Sequence, residues 1–198
     1  KIIFYADDAH YYQFFEGLIV RLTEVEKMKV LYVTSDSNDR LLKQQKENLR
    51  AFYIRTLLER LALLLKAKML IVTIPDDIDL FDLKKSKNVG TYIYLFHTLG
   101  SIFHIVKPKG ILYYDTIFCA GSHHVRELRR EEELYGHKPP ELVEFGYYRL
   151  EKVRHQYTEY QKFNGQKKKS KIKILIAPGW GAWDDKLTLL DVCGSILI

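Results

Sequence analysis

The residues able to do chemistry in this chain are histidines and acids placed where apolar runs stop. His97 follows TYIYLF and opens a small polar turn, HTLGS, that also carries Thr98 and Ser101. An imidazole with an ordinary pKa of about 6.5 exchanges a proton near neutral pH, which suits it to be a general base toward a hydroxyl. The competing role is a half-buried histidine bonded to a nearby carbonyl, and the pattern alone leaves both open. Gly121-Ser122-His123-His124 stands between an apolar run and a helical stretch. Glycine then serine at such a junction offers a helix cap and free backbone N–H groups, an anion site. The alternative is that Ser122 caps the helix and the two histidines lie on its surface. Adjacent residues on a helix point about 100° apart, so this pair does not chelate a metal, and no metal site is expected. Asp7, Asp8 and His10 follow KIIFYA, and Asp76 and Asp77 follow KMLIVTI. Acids there can hold hydroxyl groups or a metal, or simply form turns and caps. Tyr147 and Arg149 come after ELVEFG, and the LKKSK run at 83–87 is either phosphate-facing or a solvated loop.

Elements able to gather these residues recur along the chain. Short β-rich runs lie at 1–6, 28–35, 68–74, 91–96, 113–121, 141–146 and 171–181. Between them, Tyr11, Phe15, Leu18, Leu22 and Val25 fall on one helical stripe. Residues 40–66 read as a helix with Leu49, Phe52, Tyr53, Leu57, Leu61 and Leu64 on its apolar side. Ser122 opens another helix, and RLEKVRHQYTEYQKF a further, polar one. Strands joined by crossovers of this length predict an α/β fold, a parallel sheet with helices on both faces. In such folds ligands bind beyond the carboxyl ends of the strands, where the residues above collect.

Composition narrows the classes. The 198 residues carry 31 Lys+Arg and 25 Asp+Glu, a net charge of +6. Residues 161–173 alone hold six lysines and no acid, so the remainder has 25 basic and 25 acidic residues and no net charge. The basic excess therefore marks one segment, and nucleic-acid binding is not expected. No apolar run reaches the ~18–20 residues of a membrane span. The opening KIIFYADDAHYY sets acids where an export signal needs an apolar core, and two cysteines without framework spacing fit a reducing cytoplasm. There is no GxGxxG, GxxxxGK[ST] or HExxH.

Taken in order, KIIFYADDAHYYQFFEGLI, VLYVTSDSNDR, LIVTIPDDIDLFDLKKSK, YIYLFHTLGS, YYDTIFCAGSHHVRELRREEELYG, LVEFGYYRLEKV and ILIAPGWG resemble the bacterial CDP-glycerol glycerophosphotransferase-like proteins of cell-surface polymer synthesis. The similarity runs from residue 1 to about residue 194. It implies the N-terminal half of a GT-B architecture. Residues 1–165 would be the Rossmann-like, acceptor-side domain, and 166–198 a lysine-rich linker with the truncated start of the donor-side domain. On that reading the chain is an incomplete portion of an enzyme, inactive alone. The resemblance implies His97 as catalytic base, although Thr98-Leu99-Gly100 stands where the family has Gly-Thr. It places Thr98, Gly121, Ser122, His123, His124 and Arg149 at substrate and phosphate and gives Asp76 a family counterpart; position after the strands adds Ser101 to the first group and sets Asp7, Asp8 and His10 with Asp76 on the acceptor side. Tyr148 and Glu151 replace the family's Pro and Asp around Arg149. The implied donor is CDP-glycerol or a related nucleotide-activated group, with no cofactor. The acceptor is a polymer or a lipid-linked chain, at the cytoplasm with room for peripheral contact on the inner membrane face. The competing expectations are a non-catalytic acceptor-binding module and a GT-B glycosyltransferase or epimerase using a sugar nucleotide.

Overall fold

Strand β1 (Ile2–Ala6, IIFYA) is buried at every position, as expected of a β-branched and aromatic run covered on both faces. The computed structural model describes residues 1–44, 46–55, 64–73, 85–105, 110–136 and 140–164. Around β1 they build a seven-stranded sheet in which every pairing is parallel. The remaining strands are β2 (Val30–Thr34), β3 (Leu49–Tyr53), β4 (Ala67–Val72), β5 (Val89–Leu95), β6 (Thr116–Cys119) and β7 (Glu141–Glu144). Their spatial order is β3-β2-β1-β4-β5-β6-β7. The chain thus steps outward from β1 in one direction, then returns to β1's other side with β4. The reversal between β1 and β4 is the place where folds of this kind open a crevice. The predicted α/β, Rossmann-like sheet is what the chain forms.

Alternation along the strands divides the core in two. Ile3, Tyr5, Leu70, Val72, Tyr92 and Tyr94 face one side, packed with Ile102 and Leu128. Ile2, Phe4, Ile71, Ile93 and Leu95 face the other, under Phe14, Phe15 and Ile19 of helix α1 (Tyr12–Val20). Helix α2 (Ile102–Ile105) and helix α3 (Ser122–Tyr135) supply the cover on the first side, so helices lie on both faces. Phe4 and Phe15 meet edge to face at 5.3 Å and are fully buried. Burying a ring of that size contributes about 1.5–3 kcal/mol, with ~0.5–1.5 kcal/mol more from the edge-to-face contact.

Two sequence expectations change. Residues 40–66 do not begin as a helix. Asp39 caps a single 3-10 turn, Arg40–Lys43, and Leu49–Tyr53 is a strand. Pairing with β2 in register Val30↔Leu49 through Thr34↔Tyr53 satisfies a backbone edge that β2 would otherwise expose. That gain outweighs a helical spacing of apolar side chains. Val25 also leaves its stripe and is exposed, because α1 runs on into a π-helical turn, Arg21–Val25, with Glu26 N–H donating to Arg21 O at 3.0 Å. The wider turn rotates later residues off a 3.6-residue stripe. The fifth predicted strand is shorter than 113–121, since Gly110–Tyr113 is a 3-10 turn. The seventh, at 171–181, lies outside the described residues.

The chain divides into two units, Lys1–Tyr157 and Thr158–Ile198. The first holds the sheet. Of the second, residues 158–164 are described, the closing turns of helix α4 (Tyr148–Asn164). No helix among the described residues is long and apolar enough to cross a membrane.

Candidate functional site

Three buried side-chain atoms among the described residues have no hydrogen-bond partner: Asp7 Oδ1, Thr73 Oγ1 and His97 Nδ1. Each comes just past the carboxyl end of a strand. Asp7 follows β1, Thr73 follows β4 and His97 follows β5 by two residues. Those strands are neighbours in the sheet, and β1 and β4 flank the reversal of strand order. Buried polar atoms in native proteins nearly always find partners, so three orphans at one end of three adjacent strands call for an explanation. A ligand that supplies the missing partners is the economical one.

His97 is the best-defined of the three. Its ring is half-buried, with the Tyr11 ring edge-on at 5.5 Å and the Phe14 ring at 5.7 Å. Its carbonyl accepts a 2.9 Å hydrogen bond from the Tyr147 hydroxyl, reaching over from the far edge of the sheet. Burial, and then the charge of nearby His10, hold the imidazole pKa below its ordinary value. The ring is therefore neutral near pH 7, the state in which it takes up a proton.

Asp7 and Asp8 are adjacent but differently employed. Burial, with the charge of Asp8, pushes the Asp7 carboxyl above the usual carboxylate range. Asp8 caps the 3-10 turn Ala9–Tyr11. Its Oδ1 accepts the His10 N–H at 2.8 Å and meets His10 Nδ1 at 2.6 Å, and the backbone bond is the main cause of its lowered pKa. His10 in turn lies on the Tyr11 ring at 4.1 Å. Asp8 is thus a cap first, and His10 is its partner. Asp76 lies outside the described residues.

Across the sheet, the Gly-Ser-His-His junction is organised around the His97 loop. Gly121, with extended backbone, is the N-cap of α3. Ser122 is not the cap, as the sequence suggested. It is the first helical residue, and its Oγ accepts from Arg126 Nη1 at 3.2 Å. His124 is fully buried against the Phe96 ring at 4.1 Å. Its Nδ1 accepts the Ala120 N–H at 3.3 Å and its Nε2 lies 2.9 Å from the Gly100 carbonyl, to which it donates. Both ring nitrogens are used, so His124 has none left for a phosphate, and that expectation gives way to a structural role. His123 Nε2 donates to the Leu99 carbonyl at 3.2 Å. Glu127 Oε2 accepts the Ile102 N–H at 2.7 Å, just after Ser101. Thr98 Oγ1 accepts the Gly100 N–H at 3.1 Å within the loop itself. Two histidines and a glutamate of α3 therefore fix the loop that begins at His97.

Arg149 approaches from the other flank. It is exposed, with its guanidinium 6.0 Å from the centre of the Phe14 ring, the same ring that abuts His97. A shallow notch lined by Phe14, Leu95, Phe145, Gly146, Tyr147 and Arg149 runs there. Gly146 turns the chain after β7 at φ +89°, a conformation that side chains beyond glycine rarely adopt, and this sets Tyr147 toward His97. Helix α4 then packs on α1 so closely that a Cβ on Gly17 would lie 2.3 Å from the Tyr148 ring. Lys152 and Glu16 pair at 2.5 Å beside that contact.

The structure thus brings His97, Asp7, Thr73 and, through Phe14 and Tyr147, Arg149 to the carboxyl end of the central strands. It does not bring Lys85-Ser86 there. Those residues stand at the amino end of β5, where Lys85 pairs with Asp115 at 2.8 Å and the Ser86 hydroxyl donates to the Leu65 carbonyl. Thr73 is the residue that sequence reasoning passed over, whereas Tyr147 was placed at a strand's carboxyl end without its bond to the His97 carbonyl. A hydroxyl closing the apolar run AKMLIV, at a strand's carboxyl end, was the available signal for Thr73. Among the described residues no group of three or more His, Cys, Asp or Glu is placed to hold a metal ion. Comparison with known proteins adds no name to this geometry: no family model, no curated protein and no solved structure matches the chain.

Proposed function

We propose that this chain is the acceptor-side part of a GT-B transferase, in which His97 takes the proton from an acceptor hydroxyl as that oxygen attacks a phosphoryl group. The observation that carries this reading is the buried, partnerless Nδ1 of a neutral imidazole at the carboxyl end of β5, on a loop fixed by three side chains of α3. The ordered resemblance to CDP-glycerol glycerophosphotransferases supplies the substrate class. In that reaction the acceptor oxygen bonds to the glycerol-phosphate phosphorus, the bond from that phosphorus to the CMP phosphate oxygen breaks, and CMP leaves. The hydroxyl proton passes to His97. Phosphoryl transfer depends mainly on positioning and on charge stabilisation, and Arg149 carries positive charge beside the ring that abuts His97. The product would be a lengthened cell-envelope or capsule-type polymer, made at the cytoplasmic membrane face.

CMP release by the intact enzyme, with CDP-glycerol and a glycerol-phosphate polymer, tests the role of His97. His97→Ala lowers the rate by about 10²–10⁴-fold if the imidazole is the base. Activity within about tenfold of the unaltered protein removes His97 from that role.

A further inference from the structure

The two bonds on the His124 ring fix where its proton sits. Nδ1 accepts the Ala120 N–H and so carries no hydrogen, and the one N–H of the neutral ring is on Nε2, donating to the Gly100 carbonyl. A protonated imidazole has an N–H on both nitrogens. Its Nδ1–H would then face the Ala120 N–H, donor against donor, across the 3.3 Å that the bond now spans. The ring has no room to turn aside, being fully buried with the Phe96 and His123 rings each at 4.1 Å. Among the described residues the titratable groups acting on it are His123 and Glu127, both of α3; His123 opposes charge on the ring and Glu127 favours it. From the other elements it meets the Phe96 ring, the Gly100 carbonyl and the Ala120 N–H. Burial is the largest influence and holds the pKa below its ordinary value, so the ring is neutral near pH 7.

What this ring ties down is the loop, while the sheet has its own bonds. Gly100 lies midway between His97 and α2, and the remaining ties of that stretch to α3 are the Leu99 carbonyl on His123 and the Ile102 N–H on Glu127. Strands β1, β2, β4 and β5 are joined by their own ladders, in which His124 takes no part. Loss of the ring from its place unties the loop at its middle and leaves those ladders whole. We propose that His124 is a proton-operated latch: one proton taken from solvent onto Nδ1 drives the ring from between Ala120 and Gly100 and releases the loop that begins at His97, while the sheet stays folded. Return of that proton to solvent closes the latch again. The device stands apart from the reaction assigned to His97, and its test needs no turnover.

Amide hydrogen exchange of the full chain, read residue by residue by NMR beside the histidine ring signals, tests this. As pH falls, protection of the Ala120 amide, corrected for the intrinsic pH dependence of exchange, drops about tenfold or more in step with the titration of the His124 ring. The amides of β1 and β4 keep their protection over that range, and a return to neutral pH restores that of Ala120. His124→Gln has no proton to take up there, so its Ala120 protection shows no step. His123→Gln keeps the latch and retains the step, and it serves as the second variant where His124→Gln does not fold. The latch is overturned if the His124 ring titrates with Ala120 protection unchanged, or if it stays neutral until β1 and β4 lose protection as well. It is equally overturned if the step survives in folded His124→Gln or is missing from folded His123→Gln.

Discussion

His97 and His124 leave the same end of the same sheet, after adjacent strands, and meet opposite circumstances. His124 is sealed in the core with an N–H on one ring nitrogen and a carbonyl on the other. His97 is half-buried, and its Nδ1 has no partner among the described residues. Burial lowers the pKa of both. What separates them is hydrogen-bond satisfaction: a filled imidazole holds structure, and an unfilled one is available to a substrate. The contrast also shows that the two are coupled, because the filled histidine fixes the loop on which the unfilled one stands.

The largest effect that tests this contrast is on stability. His124→Ala leaves the Gly100 carbonyl and the Ala120 N–H without their buried partner and opens a cavity against Phe96, at a cost of about 3 kcal/mol in urea unfolding. His97→Gln, at a site where no ring-nitrogen bond is lost, changes the same measurement by less than about 1 kcal/mol. Equal losses would erase the distinction between the two histidines. A smaller effect is expected from Tyr147→Phe, which removes the hydroxyl that bonds the His97 carbonyl and interacts with the Arg149 side chain. It costs about 1 kcal/mol or less in stability, read by urea unfolding, well short of the loss from His124→Ala.

The smallest effect is a slope against pH. Both histidines have folded pKa values below the ordinary 6.5 or so, so the unfolded chain binds more protons as pH falls through that value. Stability is full above pH ~6.5 and declines below it. Asp7 acts in the opposite sense: its raised pKa stabilises the fold below about pH 3.9 and loses that contribution as pH rises through the folded value. Thermal unfolding between neutral and mildly acid pH sharpens the comparison when His124→Gln flattens the decline. An unchanged slope would mean that His124 is not the buried neutral group described here.

Six strands were legible because their chemistry is local: KIIFYA, MKVLYVTS and TYIYLF are β-branched or aromatic, and each stops at an acid, a serine or a histidine. β3 was not. Leu49, Phe52 and Tyr53 extend a helical spacing into Leu57 and Leu61, and only the open edge of β2, absent from any local window, makes Leu49–Tyr53 a strand. The site shows the same divide. His97, Asp7 and Arg149 could be found by residue type and place. His124 could not be told from a ligand, because the carbonyl it bonds belongs to a residue 24 positions earlier. Thr73 was hidden by being ordinary, since threonine is a good strand former, and its meaning depends on an unmet hydrogen bond.

The bonds that fix the His97 loop have one direction in the chain. Leu99, Gly100 and Ile102 are held by His123, His124 and Glu127, which come 24 or 25 residues later, and His97 itself by Tyr147, 50 residues later. During synthesis the sheet can grow through β5 before any of these partners has left the ribosome. The His97 loop therefore acquires its final shape only when β6, α3 and β7 have joined, so chain order makes this end of the sheet among the last parts of the domain to mature.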